Sequence, residues 1–327
     1  MTPSFERHVE RVIAAVADPS AGAKSRLTAS WCRSFQTHSL DPSWKRRPDR
    51  ITASELQYLK GKNEALIRAA SPTVDHLFDV LRLSGCAVFL ADRDGCVLLG
   101  RSSVADAGDF ESCNLAPGAD WSEAAEGTNG IGTCLGEVCP VTIRQEEHFS
   151  ARNISMTCIG APVFGPTGEL VGVLDISSAR RDHSACLNGL MAETVAQAAR
   201  NIETTLFRHA YPNARITVSE TSATGQVGLL AIDQDDVITG ATRGARRALG
   251  FSQEQAFAPV PAGDILGGDA ARTGFDRAEY AALKRALLRA NGNASQAARA
   301  LGIGRATLYR RMKRVGLYGS DGKVSQH

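Results

Sequence analysis

Six residues near the end of the chain have the types and spacing of a DNA-reading surface. The stretch ASQAARALGIGRATLYRRMKRVGL, residues 294–317, contains two helical patterns separated by Gly302-Ile303-Gly304. In the second pattern Leu308, Met312 and Val315 form an apolar stripe, which is typical of a helix that buries one face. Cationic side chains neutralise DNA phosphates, and arginine also binds base edges. The pattern predicts DNA contacts by the following residues: Arg305, Thr307, Tyr309, Arg310, Lys313 and Arg314.

Basic charge is concentrated in this module. Residues 275–318 contain ten Lys or Arg and two Asp or Glu, a net charge of +8, whereas the whole chain carries +2. The remainder of the chain therefore carries −6. Such a distribution favours a phosphate-binding domain. The alternative is a solvated basic helix in a structural bundle.

A glycine-rich stretch in the middle of the chain is a second candidate site. In WSEAAEGTNGIGTCLGE, residues 121–137, glycines stand at 127, 130 and 132. They could let backbone N–H groups approach a ligand, or the fold alone could require them. The sequence leaves both readings open.

The pattern of the eight cysteines favours a redox function over a metal site. No C-x-x-C pair occurs, and Cys134 and Cys139 have no matching second pair, so no metal site is predicted. A sensing thiol needs only exposure and a low pKa. Cys113 and Cys134, close to the glycines, are the candidates, and buried structural thiols are the alternative.

The elements that must position these residues predict an α+β fold. Residues 86–100, around Asp94-Gly95, and residues 156–177 are each typical of a strand, a turn and a strand. Residues 187–210 predict a long helix with an apolar face at Leu190, Val195, Ala198, Ile202 and Leu206. A further strand-turn-strand follows residue 226, and then a Pro- and Gly-rich linker. Mixed hairpins and helices favour an antiparallel sheet with helices packed on it.

Two parts of the chain resemble known families. Residues 280–317 resemble the Fis-type helix-turn-helix of bacterial enhancer-binding regulators, which implies that Arg305, Thr307, Tyr309 and Arg310 face DNA. Tyr309 stands where many members have a basic residue. The motifs SWCRSFQTHSLDP, WSEAAEGTNGIGTCLGE, EEHF and TCIGAPVFGPTGELVGVLDIS, within about Ser30–Arg208, resemble the sensor half of acetoin-catabolism-type regulators, whose core is a GAF domain.

The second resemblance implies a small-molecule pocket. Its expected lining residues are Trp121, Glu126, Thr128, Asn129, Thr133 and His148. Arg152 could neutralise an acidic ligand or lie on the surface. Residues 225–266 resemble a short PAS domain.

The expected domains follow from these patterns. They are an N-terminal helical segment (1–70), a GAF-like sensor (71–210), a degenerate PAS-like segment with linker (211–270) and an all-α Fis-type helix-turn-helix (275–318).

Two motifs of such regulators are missing. They usually carry an ATPase between the sensor and the DNA-binding domain, but this sequence has no G-x-x-x-x-G-K-[ST] and no GAFTGA. We therefore expect neither ATP hydrolysis nor remodelling of a sigma-54 polymerase, and no catalytic residue or cofactor. Regulation would act through occupancy, through another form of RNA polymerase, or through pairing with a full-length relative.

The sequence predicts a cytoplasmic homodimer that binds double-stranded DNA and a small-molecule effector. No run of eighteen apolar residues and no apolar signal region occurs, so no membrane contact is expected. Two alternatives stay open. One is an architectural or antagonist protein that binds DNA without a ligand. The other is a cysteine-dependent GAF-type methionine sulfoxide reductase.

Overall fold

The computed structural model describes residues 3–18, 20–45, 49–180, 184–219, 227–253, 255–266 and 274–317. The chain divides into two compact units, Met1–Pro259 and Val260–His327. Parts of the predicted PAS-like segment and linker, residues 220–226 and 267–270, lie outside the described residues, as does Tyr318 of the predicted helix-turn-helix.

In the described part of the chain, five α-helices precede the first strand: α1 (Pro3–Ala17), α2 (Ala21–Lys24), α3 (Arg26–Cys32), α4 (Ala53–Lys62) and α5 (Glu64–Leu81). A π-helical turn, Arg33–Thr37, extends α3. Val12 and Val16 of α1 pack with Trp31 of α3 and with Phe149. Ser71, where the sequence pattern changes, lies inside α5 rather than at its end. The N-terminal helices therefore share their cores with the sensor.

A five-stranded antiparallel sheet forms the centre of the first unit. Its strands are β1 (Cys86–Asp92), β2 (Val97–Arg101), β3 (Val141–Arg144), β4 (Thr157–Phe164) and β5 (Leu170–Ser178), in the order β2-β1-β5-β4-β3. Asp92 and Gly95 close the turn between β1 and β2, which confirms the predicted hairpin. Side chains alternate between the faces, so Leu174 and Ile176 enter one core and Val173 enters another.

Helices cover both faces of this sheet. On one face lie α5 and the long helix α9 (Ala185–Ala210). On the other lie α6 (Ala107–Ser112), α7 (Glu123–Glu126) and α8 (Gly130–Glu137). The predicted apolar face of α9 is wrong at Leu190, which is 63% exposed, because Met191 occupies the buried position on that turn.

A second, smaller sheet follows α9. It contains β6 (Arg215–Val218), β7 (Leu229–Ile232) and β8 (Val237–Ala241), all antiparallel neighbours, and helix α10 (Arg243–Ala248) follows it. Phe207 at the end of α9 packs against Leu229 and Ala231.

The second unit contains the predicted helix-turn-helix. Its elements are β9 (Val260–Pro261), α11 (Ala262–Ile265), α12 (Gly274–Arg289), α13 (Ala294–Ala300) and α14 (Arg305–Arg314). The first two lie within the predicted linker. The core contains the predicted stripe of Leu308, Met312 and Val315. No described helix is both long and apolar enough to cross a membrane.

Candidate DNA-binding surface and candidate effector site

Helix α14 presents most of the predicted DNA-contacting side chains to solvent. Arg305, Arg310, Lys313 and Arg314 are exposed, whereas Thr307 and Tyr309 are half-buried. The opposite face of the helix is fully occupied by the core. The exposed face of α14 is therefore cationic along its whole length.

Some cationic side chains of α14 form ion pairs within the protein, and others do not. Arg311 pairs with Glu279 of α12 at 3.3 Å, and Arg314 also forms an ion pair with Glu279. These contacts are electrostatic, since neither oxygen of Glu279 accepts a well-aligned hydrogen bond. The Arg305 guanidinium lies 5.7 Å from the centre of the Tyr309 ring. Arg310 and Lys313 form no ion pair with any described residue and are the cations best placed to bind phosphate.

Local sequence explains how α14 is oriented. The Asn293 side chain accepts hydrogen bonds from the N–H groups of Ser295 and Gln296 and so begins α13. Gly302 ends the turn after α13 with φ = +65°, a conformation that favours glycine. Helix α14 then begins at Arg305.

The three glycines at 127, 130 and 132 pack closely against other residues of the protein. A Cβ at Gly127 would lie less than 3 Å from Phe149, one at Gly130 less than 3 Å from Asp175, and one at Gly132 less than 3 Å from the Glu123 backbone. Close packing therefore accounts for all three, which favours the reading that the fold requires them.

The predicted pocket residue Asn129 is the centre of a hydrogen-bond network. Its Oδ1 accepts from the N–H groups of Ile131 and Gly132, at 2.9 and 2.8 Å, and begins α8. Its Nδ2 donates to the carbonyls of Trp121 and Gly127. All four hydrogen-bonding capacities of this amide are used by the protein, so the structure gives it a positioning role.

Thr128, Thr133 and Trp121 are also buried and hydrogen-bonded. The hydroxyls of Thr128 and Thr133 lie 2.6 and 3.3 Å from the Ser30 hydroxyl of α3. The Trp121 indole N–H donates to the carbonyl of Asn114 at 3.0 Å. Glu123 accepts a hydrogen bond from Ser30.

Sequence reasoning missed the partners that α3 and its extension contribute. Arg33 pairs with Glu123 at 2.8 Å and with Glu137 at 2.8 Å. These contacts attach the N-terminal helices to α7 and α8. The motif SWCRSF, residues 30–35, was the available signal, but its partners lie ninety or more residues away and no local pattern identifies them.

Glu126 lies in a different environment from Asn129. Its Oε2 accepts from Arg152 and Asn153, at 2.8 and 2.9 Å, and its Oε1 has no hydrogen-bond partner. The Arg152 side chain is only 10% exposed. The expectation that Arg152 lies on the surface is therefore wrong, because it neutralises a buried carboxylate of the protein itself.

His148 is buried as a neutral imidazole. Burial lowers the pKa of His148 to about 4. Its Nδ1 faces the carbonyl of Gln145 at 2.9 Å, so we assign the proton to Nδ1. The Nε2 atom then carries a lone pair, and it has no hydrogen-bond partner.

Further buried acceptors surround Phe149. His8 directs Nε2 at the Phe149 carbonyl, at 3.3 Å, which leaves its Nδ1 as an acceptor without a donor. The Asn153 Oδ1 and Ser150 Oγ atoms also lack partners. We call Glu126, His148, Asn153, His8 and Ser150 the acceptor cluster. Buried polar atoms are rarely left unsatisfied, so this cluster is suited to water or to a ligand that donates hydrogen bonds.

The two candidate redox thiols are buried. Cys113 and Cys134 lie in the core between the sheet and α8. Burial raises the pKa of the Cys134 thiol, the direction opposite to the one that favours a reactive thiolate. All eight cysteines lie in the described part of the chain and are free. A redox role for Cys113 and Cys134 stays a prediction, and their burial argues against it.

A buried carboxyl group lies beneath the glycine stretch. Burial raises the pKa of Asp175 to about 7, and a hydrogen bond from Ser177 opposes this shift. Its Oδ1 has no hydrogen-bond partner. The described residues contain no group of three or more His, Cys, Asp or Glu side chains arranged to hold a metal ion.

Two protein-family models match this chain. The model described as MimR, N-terminal domain, matches residues 3–201. The model described as bacterial regulatory protein, Fis family, matches residues 275–314. The first match contains the five-stranded sheet and the acceptor cluster, and the second contains α12, α13 and α14. These matches confirm the resemblances to the acetoin-regulator-type sensor half and to the Fis-type helix-turn-helix; the PAS-like resemblance of residues 225–266 stays a prediction.

Characterised relatives are transcription regulators. The acetoin catabolism regulatory protein of Cupriavidus necator is 27% identical over 80% of this chain and 40% of its own length. The acetoin dehydrogenase operon transcriptional activator AcoR of Bacillus subtilis is 31% identical over 48% of this chain and 26% of its own length. The propane 2-monooxygenase operon transcriptional activator MimR of Mycolicibacterium smegmatis is 32% identical over 57% of this chain and 31% of its own length. The chain thus spans less than half of each.

A solved structure shares the fold. A chain of the crystal structure of the E. coli DhaR(N)-DhaL complex aligns with a TM-score of 0.50 at 13% identity, over 71% of this chain and 78% of that chain. At this identity the likeness supports the α+β architecture alone.

Proposed function

The chain belongs to the family defined by the MimR N-terminal domain, and from this premise we propose that it is a sequence-specific transcription regulator controlled by a small molecule. The exposed cationic face of α14 carries this proposal. Arg305, Arg310 and Lys313 project from a helix whose opposite face is buried. Recognition helices of helix-turn-helix proteins meet base edges through their first turns, which here contain Arg305.

The acceptor cluster supports the proposal of a small-molecule signal. Glu126 Oε1, His148 Nε2, Asn153 Oδ1 and His8 Nδ1 all accept hydrogen bonds and lack donors in the described structure. A compound with a hydroxyl group would supply a donor to one of them. Two relatives are named for acetoin, a small hydroxyketone, so acetoin is the first compound to test.

The signal would reach DNA through a change in population. A ligand shifts a conformational equilibrium only if it binds the two states with different affinity. We propose that the effector stabilises one arrangement of a homodimer on double-stranded DNA. The two helix-turn-helix domains of the dimer, here called the heads, then bind half-sites that lie about one helical turn, or a multiple of it, apart.

We further propose that this chain regulates without hydrolysing ATP. Its sequence holds no Walker A motif and no GAFTGA loop. Regulation would then depend on DNA occupancy, on a direct contact with RNA polymerase, or on mixed dimers with an ATPase-bearing relative.

Genome-wide recovery of bound DNA tests the proposal. The wild type is compared with Arg305→Ala/Arg310→Ala, two exposed positions, with and without acetoin. Arg208→Ala, an exposed arginine outside the head, is the matched control. We expect discrete inverted-repeat sites that the double variant loses, the control keeps, and acetoin changes in occupancy. Sites that acetoin leaves unchanged would favour the ligand-independent architectural or antagonist alternative. Binding that survives in the double variant would overturn the assignment of α14.

A further inference from the structure

A cleft of about 220 Å³ lies between the sensor sheet and the second sheet of the N-terminal unit. The end of β4 and helix α9 form one wall, and β7 and the first turns of α10 form the other. Ala161, Pro162 and Leu229 give it an apolar surface. Sites for drug-sized ligands occupy about 300–1,000 Å³, so an occupant of this cleft must be small.

Two arginines of α10 face the cleft without a protein acceptor. Arg243 lies over the Phe164 ring at 4.3 Å, and Arg247 also lines the cleft. Neither guanidinium hydrogen-bonds to, or pairs with, another described residue. Burial and the charge of Arg247 lower the pKa of Arg243, and the charge of Glu203 opposes this shift. These two cations repel each other, and an anion bound between them would relieve that repulsion.

A carboxyl group completes the polar lining. The Phe164 N–H donates to Oε1 of Glu203 at 3.1 Å, while Oε2 has no protein partner among the described residues. Burial raises the pKa of Glu203 to about 7, against the lowering effects of the Phe164 N–H, Arg200 and Arg243. Arg200 is itself paired with Glu193 at 2.9 Å. Glu203 therefore carries a proton for much of the time near neutral pH.

We propose that the cleft binds a small monocarboxylate, with its carboxylate on Arg243 and Arg247 and its short alkyl chain against Ala161, Pro162 and Leu229. The planar guanidinium matches the two oxygens of a carboxylate. A protonated Glu203 donates a hydrogen bond to the same group. Inorganic phosphate fits less well, because it has no alkyl chain to pack against Ala161, Pro162 and Leu229. This site is separate from the acceptor cluster and goes beyond the proposed function.

Equilibrium dialysis of the full chain against radiolabelled butyrate tests the site. We expect binding at pH 6 that Arg247→Gln and Arg243→Gln each weaken about tenfold or more, as loss of a charge-assisted hydrogen bond predicts. Arg208→Gln, on the exposed last turn of α9 outside the cleft, should leave the affinity unchanged. Butyramide, which has no negative charge, should not compete. Arg247 is exposed, so its replacement keeps the fold even if Arg243→Gln does not.

The dependence of butyrate binding on pH is a second readout. If only protonated Glu203 accepts the ligand, affinity falls about tenfold between pH 6 and pH 8. Glu203→Gln should bind butyrate equally at both values. The other charged or titratable lining groups are Arg200, Arg243, Arg247 and Cys139, and a Cys139→Ser variant separates the thiol from Glu203.

Three outcomes overturn the site: no butyrate binding, equal competition by inorganic phosphate, or equal losses in Arg247→Gln and Arg208→Gln. No DNA is present, so the result stands apart from the test of the proposed function.

Discussion

Individual polar side chains in the sensor differ in whether all their hydrogen-bonding atoms find partners within the protein. Asn129 uses every hydrogen-bonding capacity on its own backbone surroundings. Glu126 and His148 each keep one buried acceptor without a donor. Such an atom costs about 1–3 kcal/mol of stability if it stays unpaired. The protein keeps several of them around Phe149, and we therefore propose this region as the place where a donor-bearing effector binds.

Asp175 makes stability depend on pH. Its pKa is raised from 3.8 to about 7 in the folded protein. The stability that depends on a neutral Asp175 is therefore fully present below pH 3.8 and is lost as pH rises through 7. The loss is on the order of 4 kcal/mol. Asp175→Asn removes the charge, so we expect a flatter thermal stability between pH 5 and pH 8 and a higher Tm than wild type at pH 8. Asp94→Asn, at an exposed carboxylate, is the control. Parallel curves for wild type and Asp175→Asn would show that Asp175 ionises normally.

The Glu126–Arg152 ion pair should contribute far more to stability than an exposed pair. Its side chains are 0% and 10% exposed. Glu126→Ala would remove the carboxylate partner of a largely buried guanidinium, which costs about 3–5 kcal/mol. The pair of Arg215 and Asp236, 67% and 62% exposed, is the comparison, and Arg215→Ala should cost about 0–1 kcal/mol. Urea unfolding measures both changes, and similar midpoints for the two variants would contradict the contrast.

At the scale of elements, close packing within the protein, rather than contact with a ligand, explains two glycines of helix α8. The helix contains Gly130, Gly132 and Gly136. The first two pack against atoms of the sheet and of the 122–123 backbone. The third has its nearest neighbour, a nitrogen of Arg33, at 3.6 Å from an added Cβ, which is an ordinary contact. Two glycines of one helix therefore have a structural reason that the third lacks.

Replacing Gly132 and Gly136 of α8 by alanine should change the free energy of unfolding in opposite directions. Gly132→Ala forces Cβ into the backbone at Glu123, and we expect a loss of about 1–3 kcal/mol or misfolding. Gly136→Ala adds a methyl group where space exists and lowers the entropy of the unfolded chain, for a gain of up to about 1 kcal/mol. Thermal unfolding of both variants checks this. A gain in stability for both variants would mean that the approach of α7 to α8 is looser than described.

Elements with local signals were predictable, and contacts between distant elements were not. Asp94-Gly95 marks the first hairpin, and the glycines before Arg305 mark the start of α14. On α9, Leu190 and Met191 are adjacent apolar residues, and periodicity could not decide which one is buried. The pairing of Arg33 with Glu123 joins residues ninety positions apart. It depends on tertiary packing, so it became visible only in the structure.

At the scale of the whole molecule, charge is divided between the head and the rest of the chain. Residues 275–318 carry +8 and the remainder carries −6. An acidic remainder repels DNA, so α14 and its neighbours should supply nearly all of the phosphate contacts. Within α14, Arg311 and Arg314 are partly neutralised by Glu279. We therefore expect Arg305, Arg310 and Lys313 to supply the DNA contacts of α14.

The salt dependence of DNA binding measures how many of these cations meet phosphate. Each contact contributes about −0.9 to the slope of log K against log salt concentration, so three cations predict a slope of about −3 per head. Arg310→Gln should make the slope shallower by about 1 per head, and Arg208→Gln should leave it unchanged. Fluorescence anisotropy with a labelled operator, from 50 to 200 mM salt, gives the slopes. Arg314→Gln provides the sharpest test, because its partner Glu279 already neutralises it. A change as large as that of Arg310→Gln would show that DNA displaces Glu279 and recruits Arg314, as the sequence predicts.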